Sequence, residues 1–312
     1  MRYKTFQDLQ LSALGMGCMR LPIKGGNSEI YEEQTARMAA YAMAHGINYF
    51  DTAWGYHGGN SESVMGKILS AYPRDAYHLA SKFPGYDLAN MPKVQEIFAR
   101  QLERCQSEYF DFYLFHNVCE LNIDAYLNED YGILDHLLKQ KEAGRIRHLG
   151  FSAHGSIPVM ERFLNAYGEH MEFCQIQLNY LDWILQDAKG KVELLNARHI
   201  PIWVMEPLRG GKLCTLDEEA MSELQKLRPQ ESMSGWAFRF LQSIPGVTMI
   251  LSGMSDMQQL QENIETFADE QPLNEDEMKT LTGIGRRMST SVPCTACRYC
   301  IEHCPRSLDI PE

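Results

Sequence analysis

The chain has 312 residues, 45% of them hydrophobic and 22% charged, the balance of a soluble globular protein with ample material for a core. Its 41 acidic against 29 basic residues give a net charge of −12, which argues against a nucleic-acid partner and against attraction to an anionic membrane surface. The amino-terminal MRYKTFQDLQLSALGMG holds no apolar run long enough for a signal peptide, and no run elsewhere approaches the ~20 residues of a spanning helix, so a cytoplasmic location is expected.

In chain order, YKTFQDLQL reads as a short hairpin or lid. Eight apolar runs then recur at strand length: LSALGMGCM, INYFDTA, YHLASK, FDFYLF, IRHLGFS, FCQIQL, IPIWVM and VTMIL. Between them lie amphipathic stretches such as EEQTARMAAYAMAHG, ESVMGKILSAY, KVQEIFARQLERCQ, ILDHLLKQKEAG, VMERFLNAYG and AKGKVELLNARH. Eight strands alternating with helices predict an α/β fold, a parallel (β/α)8 TIM barrel, over residues 1–285, with the hairpin over its floor. Gly46, Gly144 and Gly168 follow helical runs, where a left-handed cap suits glycine. Cys18, Cys105, Cys119, Cys174 and Cys214 lie on or beside apolar runs and read as reduced, partly buried thiols.

Four residues stand where such a barrel carries its chemistry. Asp51 and Tyr56 lie in NYFDTAWGYHGGNSE, Lys82 in HLASKF and His116 in YLFHN, three of the four at strand ends. A phenol is a weak acid, with an ordinary pKa of about 10. A neighbouring ammonium is expected to lower that value, a carboxylate to hold the ammonium, and an imidazole to hydrogen-bond a reacting carbonyl. Together they describe a proton donor tuned for carbonyl reduction.

The spacing D-T-A-x-x-Y, then S-K after the next strand, then a strand ending in F-H, resembles the aldo-keto reductase family over about the first 270 residues. The resemblance implies hydride delivery from a nicotinamide nucleotide to a small-molecule carbonyl, or the reverse from an alcohol. Tyr56 is then the acid/base, Lys82 paired with Asp51 lowers its pKa, and His116 orients the carbonyl. It also implies a nucleotide site at Gly17, Met19, Asp51, Ser152, His154, Gln175, Met205, Pro207, Leu208, Arg209, Gly253, Met254, Gln259, Glu262 and Asn263. Within it Ser152 and Gln175 match the carboxamide-binding pair, and Glu262 and Asn263 in LQENI the pair at the adenine end. Ala153 replaces a common asparagine, leaving that contact absent or to His154, and Met205 replaces a stacking aromatic with a looser thioether. Gly253 and Gln259 stand where members preferring NADPH often carry Lys and Arg, with Arg209 a candidate replacement cation. NADP(H) is expected on family grounds, with NAD(H) open. Trp54 and Phe83 are candidate walls of the substrate pocket.

Residues 286–312 form a separate carboxy-terminal segment. There Cys294, Cys297, Cys300 and Cys304 read C-x2-C-x2-C-x3-C-P, the spacing of a bacterial ferredoxin run holding a four-iron four-sulfur (4Fe-4S) cluster, with zinc the main competitor. In two-cluster ferredoxins the fourth cysteine serves the other cluster, so the fourth ligand here is Cys304 folding back, a group from outside, or a residue of a longer native tail. A cluster moves one electron where hydride carries two, so its role is structural, sensing, or as an electron port to a redox partner. Two further readings stay open: a nucleotide-binding sensor or regulatory subunit with little turnover, and an electron-transfer protein whose barrel docks the cluster.

Overall fold

The structure is a computed structural model that describes residues 1–25 and 29–290. Two short strands, β1 (Tyr3–Phe6) and β2 (Leu9–Ser12), pair as the expected hairpin. Eight more follow: β3 (Leu14–Gly17), β4 (Tyr49–Asp51), β5 (His78–Phe83), β6 (Phe110–Val118), β7 (Ile146–Ala153), β8 (Cys174–Gln177), β9 (Ile202–Met205) and β10 (Val247–Ser252). Each falls on one of the eight apolar runs. They close into a parallel barrel in the order β10-β3-β4-β5-β6-β7-β8-β9. Parallel neighbours need a crossover, and helices such as Glu32–Ala44, Val94–Arg104 and Ile157–Tyr167 supply it.

The period of two along each strand organises the interior. Tyr49, Ala80, Phe112, Leu114, Phe173, Trp203, Met249 and Leu251 form a buried cluster of their own, distinct from the layer between strands and helices. Its rings meet across the barrel, Phe112 with Tyr49 at 5.0 Å and with Phe173 at 5.3 Å, and Phe173 with Trp203 at 4.7 Å. Gly150 leaves room for this layer, since a Cβ there would come within 2.6 Å of the Phe173 ring. Two residues further along four of these strands the side chains on this face become polar: Asp51 after Tyr49, Lys82 after Ala80, His116 after Leu114, Gln175 after Phe173. The apolar layer is thus a platform on which a polar ring sits at the carboxy-terminal mouth.

Phe6 of the hairpin caps this layer from below, its ring 5.1 Å from Trp203 and 5.1 Å from His148. Gly46 and Gly144 take the left-handed conformation expected of helix caps, with φ of 91° and 73°. Gly168 does not: its φ is −60°, because the chain continues from helix Ile157–Tyr167 into a 3-10 turn over Gly168–His170 instead of reversing. Helices Glu218–Leu227, Met233–Gln242, Met257–Thr266 and Glu275–Ser289 add to the six amphipathic stretches named above. No helix among the described residues is long and apolar enough to cross a membrane.

One carboxylate ties the hairpin to the floor. Glu172 accepts hydrogen bonds from the Gln7 amide at 2.8 Å, Lys141 Nζ at 2.6 Å and the Leu149 backbone N–H at 2.9 Å, and faces His148 Nδ1 at 2.8 Å. Partial burial works the other way, but these partners win and hold its carboxyl down at about 2, from an ordinary 4.5. A carboxyl depressed in the folded state contributes stability above its unfolded value, and that stability drains away as pH falls through the folded value. Thermal midpoints measured from neutral pH down towards pH 2 should therefore fall less steeply in Glu172→Gln than in the wild type below about pH 4.5. Parallel curves would show that Glu172 is not the acid-sensitive tie.

Candidate active site

Asp51 ends β4 and Lys82 stands one residue from the end of β5, and parallel pairing of these strands sets Asp51 beside Ala80. Lys82 is fully buried. Its ammonium donates to Asp51 Oδ1 at 2.5 Å, to the Thr52 carbonyl at 2.9 Å and to the Tyr56 hydroxyl at 3.4 Å. Tyr56 arrives from a 3-10 turn just after β4, and its ring meets His116 edge-on at 6.1 Å. All four side chains line one cavity of about 760 Å³ at the mouth of the barrel.

The electrostatics differ from the sequence expectation at one point. Burial pushes the Tyr56 phenol well above its ordinary value, and the nearby carboxylates Asp51 and Glu206 push the same way, so Lys82 does not bring it down. Burial is the larger cause, and the ammonium sits closer to Asp51 than to Tyr56, so that carboxylate offsets its charge at the phenol. Burial also raises the Asp51 carboxyl, against the pull of Lys82. His116 is held well below the ordinary imidazole range by burial, then by Lys82 and His154. At neutral pH the mouth therefore presents a protonated phenol beside an uncharged imidazole.

The cavity runs on from these groups along the expected nucleotide positions: Gly17, Met19, Ser152, His154, Gln175, Met205, Pro207, Leu208, Gly253, Gln259, Glu262 and Asn263 all line it. Gln175 is the most telling of them. It is 3% exposed, and its Oε1 is buried without a hydrogen-bond partner among the described residues. A buried amide oxygen left unsatisfied is costly, and a ligand N–H in the cavity would satisfy it. Beside it the Ser152 hydroxyl accepts from the Asn117 backbone N–H at 2.8 Å, which leaves its own proton for a ligand acceptor. These groups fit a carboxamide, which offers both a donor and an acceptor.

Two expected residues stand apart from the cavity wall. Arg209 is 1% exposed, and its Nη1 meets Asp182 Oδ1 at 2.6 Å. Asp182 also accepts from Gln177 and Asn179, and Asn179 donates to the Glu206 carbonyl at 2.9 Å. The arginine thus pins the loop after β9 from behind, and a buried charge so matched is not offered to a nucleotide phosphate. Met254 is 1% exposed and packs in the core, while its neighbours Gly253 and Ser255 face the cavity. The two candidate substrate walls also lie elsewhere. Phe83 is buried against Tyr126, and Trp54 stacks on the Arg104 guanidinium at 3.9 Å. The aromatic beside His116 is Tyr86, 42% exposed, with ring centroids 5.3 Å apart.

The sequence reading passed over Arg20, Glu206, Gly210, Gly211 and the Ser232–Ser234 stretch, all on the cavity wall. Glu206 carried a signal, a charge wedged between an apolar strand and Pro207; so did the paired glycines, whose φ values are 66° and 93°. Tyr86 lies four residues beyond Lys82, within the loop after β5. Ser232–Ser234 reach the wall only because helix Met233–Gln242 starts there, and no local motif marks that. The five scattered cysteines are unpaired thiols; Cys18, Cys105 and Cys174 are buried, Cys119 is half-buried and Cys214 is exposed. Cys294, Cys297, Cys300 and Cys304 lie outside the described residues, among which no cluster of three or more His, Cys, Asp or Glu side chains is placed to hold a metal.

Comparison with known proteins gives the geometry a family. The sequence profile of the Aldo/keto reductase family matches residues 13–286. Similar proteins include the uncharacterized oxidoreductase YqkF of Bacillus subtilis (strain 168), 26% identical over 300 residues, covering 88% of this chain and 92% of that one. The NADH-specific methylglyoxal reductase of Escherichia coli (strain K12) is 26% identical over 226 residues, covering 66% of each. The L-galactose dehydrogenase of Arabidopsis thaliana is 24% identical over 298 residues, covering 86% of this chain and 88% of that one. The barrel also superposes on the holo form of aldo-keto reductase AKR11C1 from Bacillus halodurans with a TM-score of 0.74 at 23% identity, over 91% of this chain and 96% of that one. The chain belongs to the Aldo/keto reductase family and is an NAD(P)-dependent oxidoreductase.

Proposed function

We propose that the chain interconverts an aldehyde or ketone and its alcohol at the Tyr56 hydroxyl. The observation that carries this reading is a buried phenol, 3.4 Å from a lysine ammonium, on the wall of the same cavity as the unsatisfied Gln175 oxygen. A nicotinamide dinucleotide bound there supplies the hydride, its carboxamide held by Ser152 and Gln175. Tyr56 then gives its proton to the carbonyl oxygen as negative charge develops on it, and Lys82, still tied to Asp51, steadies the phenolate left behind. His116, uncharged, donates one hydrogen bond that fixes the carbonyl against Tyr56. A phenol held upward in pKa keeps its proton at neutral pH, the form that reduction requires; the oxidative direction needs the phenolate, and so favours higher pH. Two relatives named above are a methylglyoxal reductase and an L-galactose dehydrogenase, in line with either direction.

Beyond the barrel, the spacing of Cys294, Cys297, Cys300 and Cys304 supports a carboxy-terminal iron–sulfur segment over 286–312, with a structural, sensing or electron-transfer role and, in the last case, a redox partner. Protein purified without oxygen should then contain iron and acid-labile sulfide; zinc in their place would replace that reading. The absence of a long apolar helix among the described residues and the acidic charge accord with a cytoplasmic location.

Tyr56→Phe keeps the ring and removes the proton. Its turnover of a generic aldehyde should fall by about 10²- to 10⁴-fold, while nucleotide affinity stays as in the wild type. Undiminished turnover in the variant would remove Tyr56 from the chemistry. Tight nucleotide binding with no wild-type turnover across a broad panel of carbonyls would favour the sensor reading instead.

A further inference from the structure

The preference between the two reduced nucleotides rests on the reading of the cavity as a nicotinamide dinucleotide site, and it can be argued from charge. NADPH differs from NADH by one phosphomonoester, which carries close to two negative charges at neutral pH and needs cationic or amide partners. Among the described residues only two Lys or Arg side chains line the cavity, Lys82 and Arg20. Lys82 is committed to Asp51 beneath the phenol. Arg20 faces Glu206 across the cleft, Nη2 to Oε1 at 3.7 Å, and its stem lies against Gly253. The wall also carries the carboxylates Glu206 and Glu262.

Backbone amides do not make up the deficit. Helix Met257–Thr266 begins at the cavity edge, where a helix start commonly receives phosphate. Here it is already capped by its own chain. The Asp256 carboxylate accepts from the Gln259 backbone N–H at 2.8 Å, and the Gln259 side-chain oxygen accepts from the Ser255 N–H at 2.9 Å. An incoming phosphate meets a negative cap, with the Gln259 and Ser255 donors already bonded. The Glu262 carboxylate is held one turn further along the helix by Gln258, at 2.8 Å.

We infer that this cavity selects NADH over NADPH, through the carboxylates Asp256 and Glu262 and the neutral Gln259 at the helix end. The test is a fluorescence titration of the full-length protein, purified without oxygen, with NADH and with NADPH, in the wild type and in Gln259→Arg. NADH should bind the wild type about tenfold or more tightly than NADPH, the worth of one charge-assisted hydrogen bond. Gln259→Arg should narrow that ratio by about the same factor, chiefly by tightening NADPH. NADPH binding as well as NADH, or a ratio unmoved in Gln259→Arg, would overturn the inference while leaving the carbonyl-reductase reading intact. Failure of both nucleotides to bind would overturn both.

Discussion

A lysine without solvent is the constraint around which this barrel mouth is arranged. Burying the Lys82 ammonium unpaired would be prohibitive, and its partners are fixed by the strands themselves. Asp51 comes from β4 and the Thr52 carbonyl from the residue after it, so the charge is satisfied only while β4 and β5 hold their register. The strand is also secured from behind. Gln101 donates to the Lys82 carbonyl at 3.0 Å and to the buried Glu62 carboxylate at 2.6 Å, and Ser81 donates to the same carboxylate at 2.7 Å. Fixing the lysine fixes Tyr56, which reaches its ammonium from the turn after β4.

The same burial sets the protonation states. Removing water raises the cost of phenolate and of imidazolium alike, so Tyr56 is pushed up and His116 down. For the proposed reduction, the phenol then keeps its proton at neutral pH, and the imidazole can donate a hydrogen bond without adding a charge. In the proposed reaction the Lys82 ammonium would matter most once phenolate forms, when its attraction offsets the repulsion of the nearby carboxylates. The apolar platform of Phe112, Phe173 and Trp203 below has no role in the chemistry itself, yet it closes the barrel interior beneath the polar ring.

Much of this was legible in the chain. Strand period two and the eight apolar runs give the barrel directly, and the residues at the upper ends of those runs give Asp51, Lys82 and His116, with Tyr56 in the turn that follows β4. Local order also explains the hairpin and the caps at Gly46 and Gly144. What the sequence concealed depends on packing between segments far apart. The cation of Arg209 looked available until the loop after β8 placed Asp182 against it. Trp54 is adjacent in sequence to the site but turns to Arg104, 50 positions away in numbering, and Tyr86 takes the place beside His116. The direction of the Tyr56 shift was hidden for the same reason, since spacing shows that an ammonium is near but not how deeply packing buries the phenol or that Asp51 lies closer to that ammonium.

In the proposed reaction hydride and proton meet at one carbonyl held over Tyr56. This is tested most directly by tracing the hydride: reduced nucleotide carrying deuterium at both C4 positions is turned over with a generic aldehyde, and the alcohol is examined by mass spectrometry. One deuterium on the former carbonyl carbon, absent with Tyr56→Phe, is the result this account predicts. Nucleotide oxidised with no deuterium in the alcohol would contradict it, because the electrons would then be leaving the cavity by a route other than direct transfer to a carbonyl.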